Sequence, residues 1–400
     1  MRRPLLLLAP ATALAVLWAV ALFHGPTADV HITDVNVYRG YADALNAGRE
    51  PYSGFAFEYP PLALLPMWLA GLTSTAATYG AYDVSFAIVM FVAALAVMLL
   101  TAALARERAV TAAWIVALSP LLTGAVVRTH FDLVAVALML AALLALTRRR
   151  PTAGFALLGA GAMTKLFPAL LVPVGLAWLF AQRRGGDAAR GAAAFVAVVA
   201  VVSLPFLGGG YVDAYRYQLE RPVQIESTPA TALFALGGSH VTGTATVPDA
   251  HGSNGLEGGS AGAVQAVFAV LLVATLGLVV VFVARGPPDE RRLLLGALAA
   301  VLAFAALGKV LSPQFLLWLV PFGALAWTWG ERTLALLLAA AILLTQLEFP
   351  ARYEELVGQH TSLILLVAAR NATLLAALAI TLARLAGPVR SRRLAWAATR

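Results

Sequence analysis

The chain has 400 residues, 61% of them hydrophobic and only 12% charged, with a net charge of +8. Soluble domains sit near about 45–50% apolar and about 25% charged, so the composition excludes a soluble domain and predicts an integral membrane protein. Cysteine is absent, which excludes disulfides, thiolate nucleophiles and cysteine metal sites, and an excess of arginine in a polytopic chain reads as an inside-positive bias rather than as nucleic-acid binding.

Strand-like alternation is missing, so the expected fold is all-α, a polytopic helical bundle whose backbone is satisfied within helices. The N-terminal run MRRPLLLLAPATALAVLWAVALFHG resembles a signal peptide. Its apolar part of about 20 residues is longer than a usual signal core, so it is read as a retained first transmembrane helix. Twelve crossings are predicted, near 4–24, 84–105, 109–127, 131–147, 152–164, 166–181, 191–207, 262–284, 291–308, 312–329, 332–347 and 361–385. Several reach the roughly 20 residues that span the hydrocarbon core. The segment 59–72 is short and proline-rich and is expected to dip into the outer leaflet. The pair 152–164 and 166–181 is expected to be a short hairpin bent at Lys165 and Pro168.

Charge orients this topology. With the N-terminus inside, 19 of the 26 arginines fall in cytoplasmic turns or tails, among them Arg2, Arg3, Arg106, Arg148 to Arg150, Arg183, Arg392 and Arg393. Fifteen of the 20 acids and all six histidines then fall outside. The prediction is one membrane domain, 1–386, with outer loops 25–58, 208–261 and 347–360 and a basic cytoplasmic tail, 387–400. Both termini are cytoplasmic, and the working face is extracytoplasmic. The glycine-rich stretch 237–261 is expected to be flexible, either a lid or a plain surface loop.

Between the first two apolar segments lies ITDVNVYRGYADALNAGREPYSGFAFEYPP. Val37, Tyr38, Tyr41, Ala44 and Leu45 recur at helical spacing. Thr33 or Asp34 can cap the start and Gly48 supplies the stop. This predicts an amphipathic helix on the outer membrane surface. Asp34 reads both as an N-cap and as a candidate general base, since a carboxylate at a helix N-terminus is favoured in its charged form. Asp43 and Glu50 read as a solvated face, and Glu58 stands between the two readings.

Lysine occurs only at Lys165 and Lys309, each interrupting an apolar run and each followed by a proline, Pro168 or Pro313. A cation within a span is a functional candidate, with snorkelling to the interface as the alternative. Two polar clusters join them. VVRTHFD carries Arg128, His130 and Asp132, where Asp132 either joins the site or caps the next helix. YRYQLERPVQIESTPA carries Arg216, Arg221, Gln224 and Glu226, either facing the site or lying on a solvated helix. Cations beside a membrane cavity suit a phosphate whose lipid tail stays in the bilayer.

TDVNVYRGYADAL, the following FEYPPLALL, MTKLFPALLVP, RPVQIESTPA, KVLSPQFLLWLVPF and VAARNATLLAAL together resemble the C-type glycosyltransferases, and within them glycosyltransferase family 87, the polyprenyl-phosphate-mannose-dependent α-mannosyltransferases of actinobacteria. The resemblance implies sugar transfer from a polyprenyl-phosphate donor to a glycolipid or lipoglycan acceptor at the outer face of the plasma membrane. It implies an aspartate base in the first outer loop, which maps onto Asp34, with Glu58 and Asp132 as possible assistants. The donor phosphate is assigned to Lys165, Lys309, Arg221 and Arg128 by matching segments and charge. His130, Tyr38, Tyr59, Gln224, Glu226 and Gln314 are the candidate substrate-binding groups.

The chemistry is consistent with this. Asp34 takes the acceptor proton as the oxygen attacks the anomeric carbon, and fixed cations stabilise the departing lipid phosphate. One base and direct displacement imply inversion. Neither a dense acidic cluster nor a DxD motif occurs, so no metal and no cofactor are expected. The alternatives are a C-type transferase using another sugar, such as arabinose, and a transporter or flippase for a lipid-linked sugar. The Lys-then-Pro breaks in both halves keep the transporter open.

Overall fold

A computed structural model describes residues 4–23, 32–72, 79–242 and 254–387. Arg2, Arg3, the centre of the glycine-rich stretch and nearly all of the 387–400 tail lie outside them. The protein is an all-α membrane protein, and helix occupies each of the twelve predicted segments. By length and composition, four apolar helical stretches can cross a membrane: Ala81–Thr123, Gly185–Phe206, Ala261–Arg285 and Thr361–Ala386. The first of these is two helices, because Arg106 takes φ 55° and the chain doubles back. Val196, Val201, Val267, Val270 and Val273 are exposed, which is the outward apolar surface that lipid requires.

The segment after the first polar insert is a 3-10 turn, Pro61–Ala63, and a helix, Leu64–Gly71. Eight residues rise about 12 Å and cannot span. This short helix lies under the helix Val35–Asn46, where a Cβ on Gly71 would stand 2.9 Å from that of Ala42. Tyr82 anchors it by donating its hydroxyl to Met67 O at 3.1 Å. Gly48 ends the helix Val35–Asn46 with φ 75°, a left-handed conformation that glycine adopts without a Cβ penalty.

The predicted breaks at both lysines are present. The helix Pro151–Thr164 ends where Lys165 becomes extended, and a 3-10 turn leads into Leu171–Ala181. Beyond Lys309, the 3-10 stretch Pro313–Leu319 precedes the helix Val320–Thr328.

At its described ends the glycine-rich stretch is not a plain loop. Its two ends form strands, His240–Thr242 and Gly255–Glu257, which pair antiparallel with each other. Gly255–Glu257 also pairs with Val223–Gln224, so it is the central strand of three. Val223 and Leu256 are buried with Ala230 and Leu233, so a small apolar cluster selects this pairing over a solvated loop.

Candidate active site

Asp34 occupies the N-cap position of Val35–Asn46, but its side chain makes no capping bond. Thr33 does that work, its Oγ1 accepting from Val35 N at 3.2 Å. The Asp34 carboxylate turns to its helix neighbour one turn on. Tyr38 donates its hydroxyl to Oδ2 at 3.1 Å, and His130 Nε2 stands 3.5 Å from the same oxygen. The His130 ring is held from its other side, with Nδ1 3.0 Å from Thr129 Oγ1 and 3.3 Å from Val126 O. His130 is 3% exposed while Asp34 is 39% exposed. One carboxylate oxygen is therefore fixed from within and the group remains open to an incoming hydroxyl.

An aromatic wall backs this carboxylate. Phe131 packs edge-on against Tyr38 and Tyr59, with centroids at 5.5 and 5.0 Å. Tyr52 fixes the return of the insert by donating its hydroxyl to Tyr59 O at 2.7 Å. Burial, and then the charge of Asp34 or Glu58, pushes the Tyr38 and Tyr59 hydroxyls well up, so both act as neutral donors. Glu58 shares a hydrogen bond with the Tyr59 side chain. Burial, followed by the nearby charge of Asp34, raises it from 4.5 to about 7, against the lowering effects of that bond, Arg221 and Lys165. Asp34 and Glu58 thus form a carboxyl pair in which Glu58 titrates near neutrality.

Next to this wall, Lys165 lies 2.7 Å from both carboxylate oxygens of Asp132. Trp318 donates its indole N–H to Asp132 Oδ1 at 2.6 Å. Trp318 is sandwiched between Phe167 and Phe315 at 3.9 and 4.1 Å. The ammonium sits over Phe131 at 4.9 Å and near Phe315 and Trp318, a geometry that attracts a cation. Asp132 is therefore the counter-ion of Lys165 and not a helix cap, and it is fully buried.

The remaining candidates divide. Arg221 acts on Glu58 and donates to Gln218 Oε1 at 3.1 Å, and Gln218 in turn donates to Glu58 O at 3.3 Å. Lys309 donates to the carbonyls of Leu219 and Arg221 at 2.5 and 2.7 Å, closing the C-terminal end of the helix Tyr211–Glu220. Burial, and then repulsion from Arg221, lowers Lys309 below the usual lysine range. Arg128 is buried within reach of the Asp83 charge, which Arg39 also reaches. Gln314 is half-buried in its 3-10 turn.

Gln224 and Glu226 turn inward and are buried. The Gln224 amide donates to Glu226 Oε2 and accepts from Leu311 N at 3.1 Å. The Glu226 carbonyl accepts from Arg370 and, at 3.1 Å, from Asn371, while its carboxyl is buried within reach of the Glu348 and Arg370 charges. Trp318, Glu348 and Arg370 were not among the predicted site residues. Arg370 has one signal in the sequence, a cation inside an apolar span; nothing local marks Trp318 or Glu348. Among the described residues, no group of three or more His, Asp and Glu side chains could hold a metal ion.

The arrangement can do two things. An accessible carboxylate can accept a proton, and a cation with aromatic neighbours can face an anion whose apolar tail lies in lipid. Among protein families, the model described as Glycosyltransferase family 87 matches residues 57–313, well over half of the chain. That span includes Glu58, Asp132, Lys165, Arg221 and Lys309 and begins after Asp34. An oligosaccharyltransferase from Archaeoglobus fulgidus, solved tethered with an acceptor peptide, is 14% identical, with a TM-score of 0.45 over 94% of this chain and 54% of that one. The chain thus spans about half that protein's length. ArnT from Cupriavidus metallidurans, in the apo state, is 16% identical, with a TM-score of 0.38 over 95% and 76%. The search of curated proteins gives no match.

Proposed function

The chain belongs to glycosyltransferase family 87, and from that premise we propose that it moves a sugar, mannose as the expected one, from a polyprenyl-phosphate carrier to a glycolipid or lipoglycan at the outer face of the plasma membrane. The observation that carries this reading is Asp34. Its carboxylate is oriented by Tyr38 and His130 and yet remains open, beside a cation lodged among aromatic rings.

In this reading the acceptor hydroxyl attacks the anomeric carbon as Asp34 takes its proton. The carbon–oxygen bond to the phosphate breaks, and the phosphate leaves with the electron pair. A β-linked donor then gives an α-linked product. Charge grows on the leaving phosphate, so Lys165 and Arg221 stabilise the transition state more than the ground state. Lys165 is already neutralised by Asp132, which holds the ammonium in place before the phosphate arrives and shares it afterwards. Lys309 supports Arg221 by fixing the backbone that carries it.

The test of donor class is transfer by the purified full chain in lipid, with radiolabelled polyprenyl-phosphate-mannose, polyprenyl-phosphate-arabinose or a nucleotide sugar offered separately with a mannolipid acceptor. Label from the mannose lipid alone supports the reading. Transfer from arabinose lipid reassigns the sugar, transfer from the nucleotide sugar overturns the lipid donor, and transbilayer movement without transfer favours the flippase.

A further inference from the structure

The end of the bundle opposite Asp34 carries an unusual use of arginine. Arg149 and Arg183 both have positive φ, 60° and 58°. In each case the helix closes by the same two bonds: Arg149 N to Leu146 O with Arg150 N to Ala145 O, and Arg183 N to Phe180 O with Arg184 N to Leu179 O. The turn at Gly330 has the same pair of bonds, with φ 82°. Glycine fits this position without a Cβ clash, whereas an arginine holds it at a conformational cost.

Among the described residues, no ion pair offsets that cost. Three acids at this end are engaged elsewhere: Glu290 with Arg106, Glu331 with Arg291 and Arg384, and Asp187 with Arg184 and Arg190. Arg148, Arg149, Arg150 and Arg183 are exposed and have no carboxylate partner among the described residues. Phe180, one turn before Arg183, is 58% exposed. An apolar anchor with a cation just beyond it matches the boundary between acyl chains and headgroups.

We propose that Arg148, Arg149, Arg150 and Arg183 form a binding surface for anionic phospholipid headgroups at the end of the bundle opposite the candidate active site. Charge complementarity identifies the occupant, since clustered arginines beside membrane helices attract headgroup phosphates. The inference does not depend on the sugar-transfer reading.

The test is thermal unfolding of the full-length protein in neutral detergent, titrated with phosphatidylglycerol or phosphatidylcholine. Three proteins are compared: wild type, Arg149→Gly/Arg183→Gly and Arg149→Lys/Arg183→Lys. Wild type is expected to be stabilised by phosphatidylglycerol well beyond phosphatidylcholine. The glycine pair is expected to bind phosphatidylglycerol about thirtyfold more weakly, at roughly 1 kcal/mol for each arginine removed, and, without lipid, to unfold at a higher temperature than wild type. The lysine pair keeps the lipid response. Equal responses of wild type to both lipids overturn the proposal, as does a glycine pair that keeps the full response or is less stable without lipid. An RNA oligonucleotide that stabilises wild type as much as phosphatidylglycerol also overturns it.

Discussion

Lys165 and Asp132 meet across 33 residues of sequence, with the ammonium 2.7 Å from each carboxylate oxygen. The aspartate is 0% exposed and the lysine 14%. Breaking such a pair from one side leaves an uncompensated buried charge, at about 3–5 kcal/mol. Asp132→Asn is therefore expected to destabilise the protein by about that amount, read as a loss of unfolding free energy in detergent. Asp132→Asn/Lys165→Met removes both charges and should recover most of the stability while leaving sugar transfer lost, because the cation facing the phosphate is gone.

Glu58 links stability to pH. Burial raises its folded-state value from 4.5 to about 7, so the folded chain keeps a proton that the unfolded chain releases near 4.5. Its contribution is fully present below about pH 4.5 and is lost as pH rises through about 7. Glu58→Gln should flatten that part of the pH–stability curve and exceed wild type above pH 7. Melting temperature against pH for the two proteins measures the difference directly, and parallel curves would remove Glu58 from this role.

Arg370 is the only cation in contact with the buried Glu226–Glu348 pair among the described residues. Arg370 and the two carboxyls are buried together, and the guanidinium supplies the counter-charge of that unit. Arg370→Met leaves that unit charged and should cost about 3–5 kcal/mol. Glu348→Gln keeps a donor and removes one titratable group, so its loss should stay within roughly 1.5 kcal/mol. Chemical denaturation of the two variants separates these outcomes.

Local features of the fold were legible in the sequence. The helix Val35–Asn46, its Gly48 stop and the breaks at Lys165 and Pro313 follow from spacing, glycine and proline. The Tyr38–Asp34 contact is one helical turn and equally local. The pairings between helices were not legible. Asp132 could equally have been a cap, and only packing brings Lys165 and Trp318 to it. The polar run with Gln224 and Glu226 reads the same whether it faces solvent or turns inward, and Arg370 lies 144 residues beyond Glu226. Side-chain direction across a bundle is set by helix packing, which a local pattern does not encode.

The account rests on Asp34 as the base, and the most direct test is single-turnover sugar transfer. Wild type and Asp34→Asn, purified in lipid, would be given radiolabelled polyprenyl-phosphate-mannose and a mannolipid acceptor, with donor binding measured for both. The account predicts a rate loss of about 10²–10⁴-fold in the variant with donor binding intact. Equal rates in the two proteins would contradict it and move the proton transfer to Glu58.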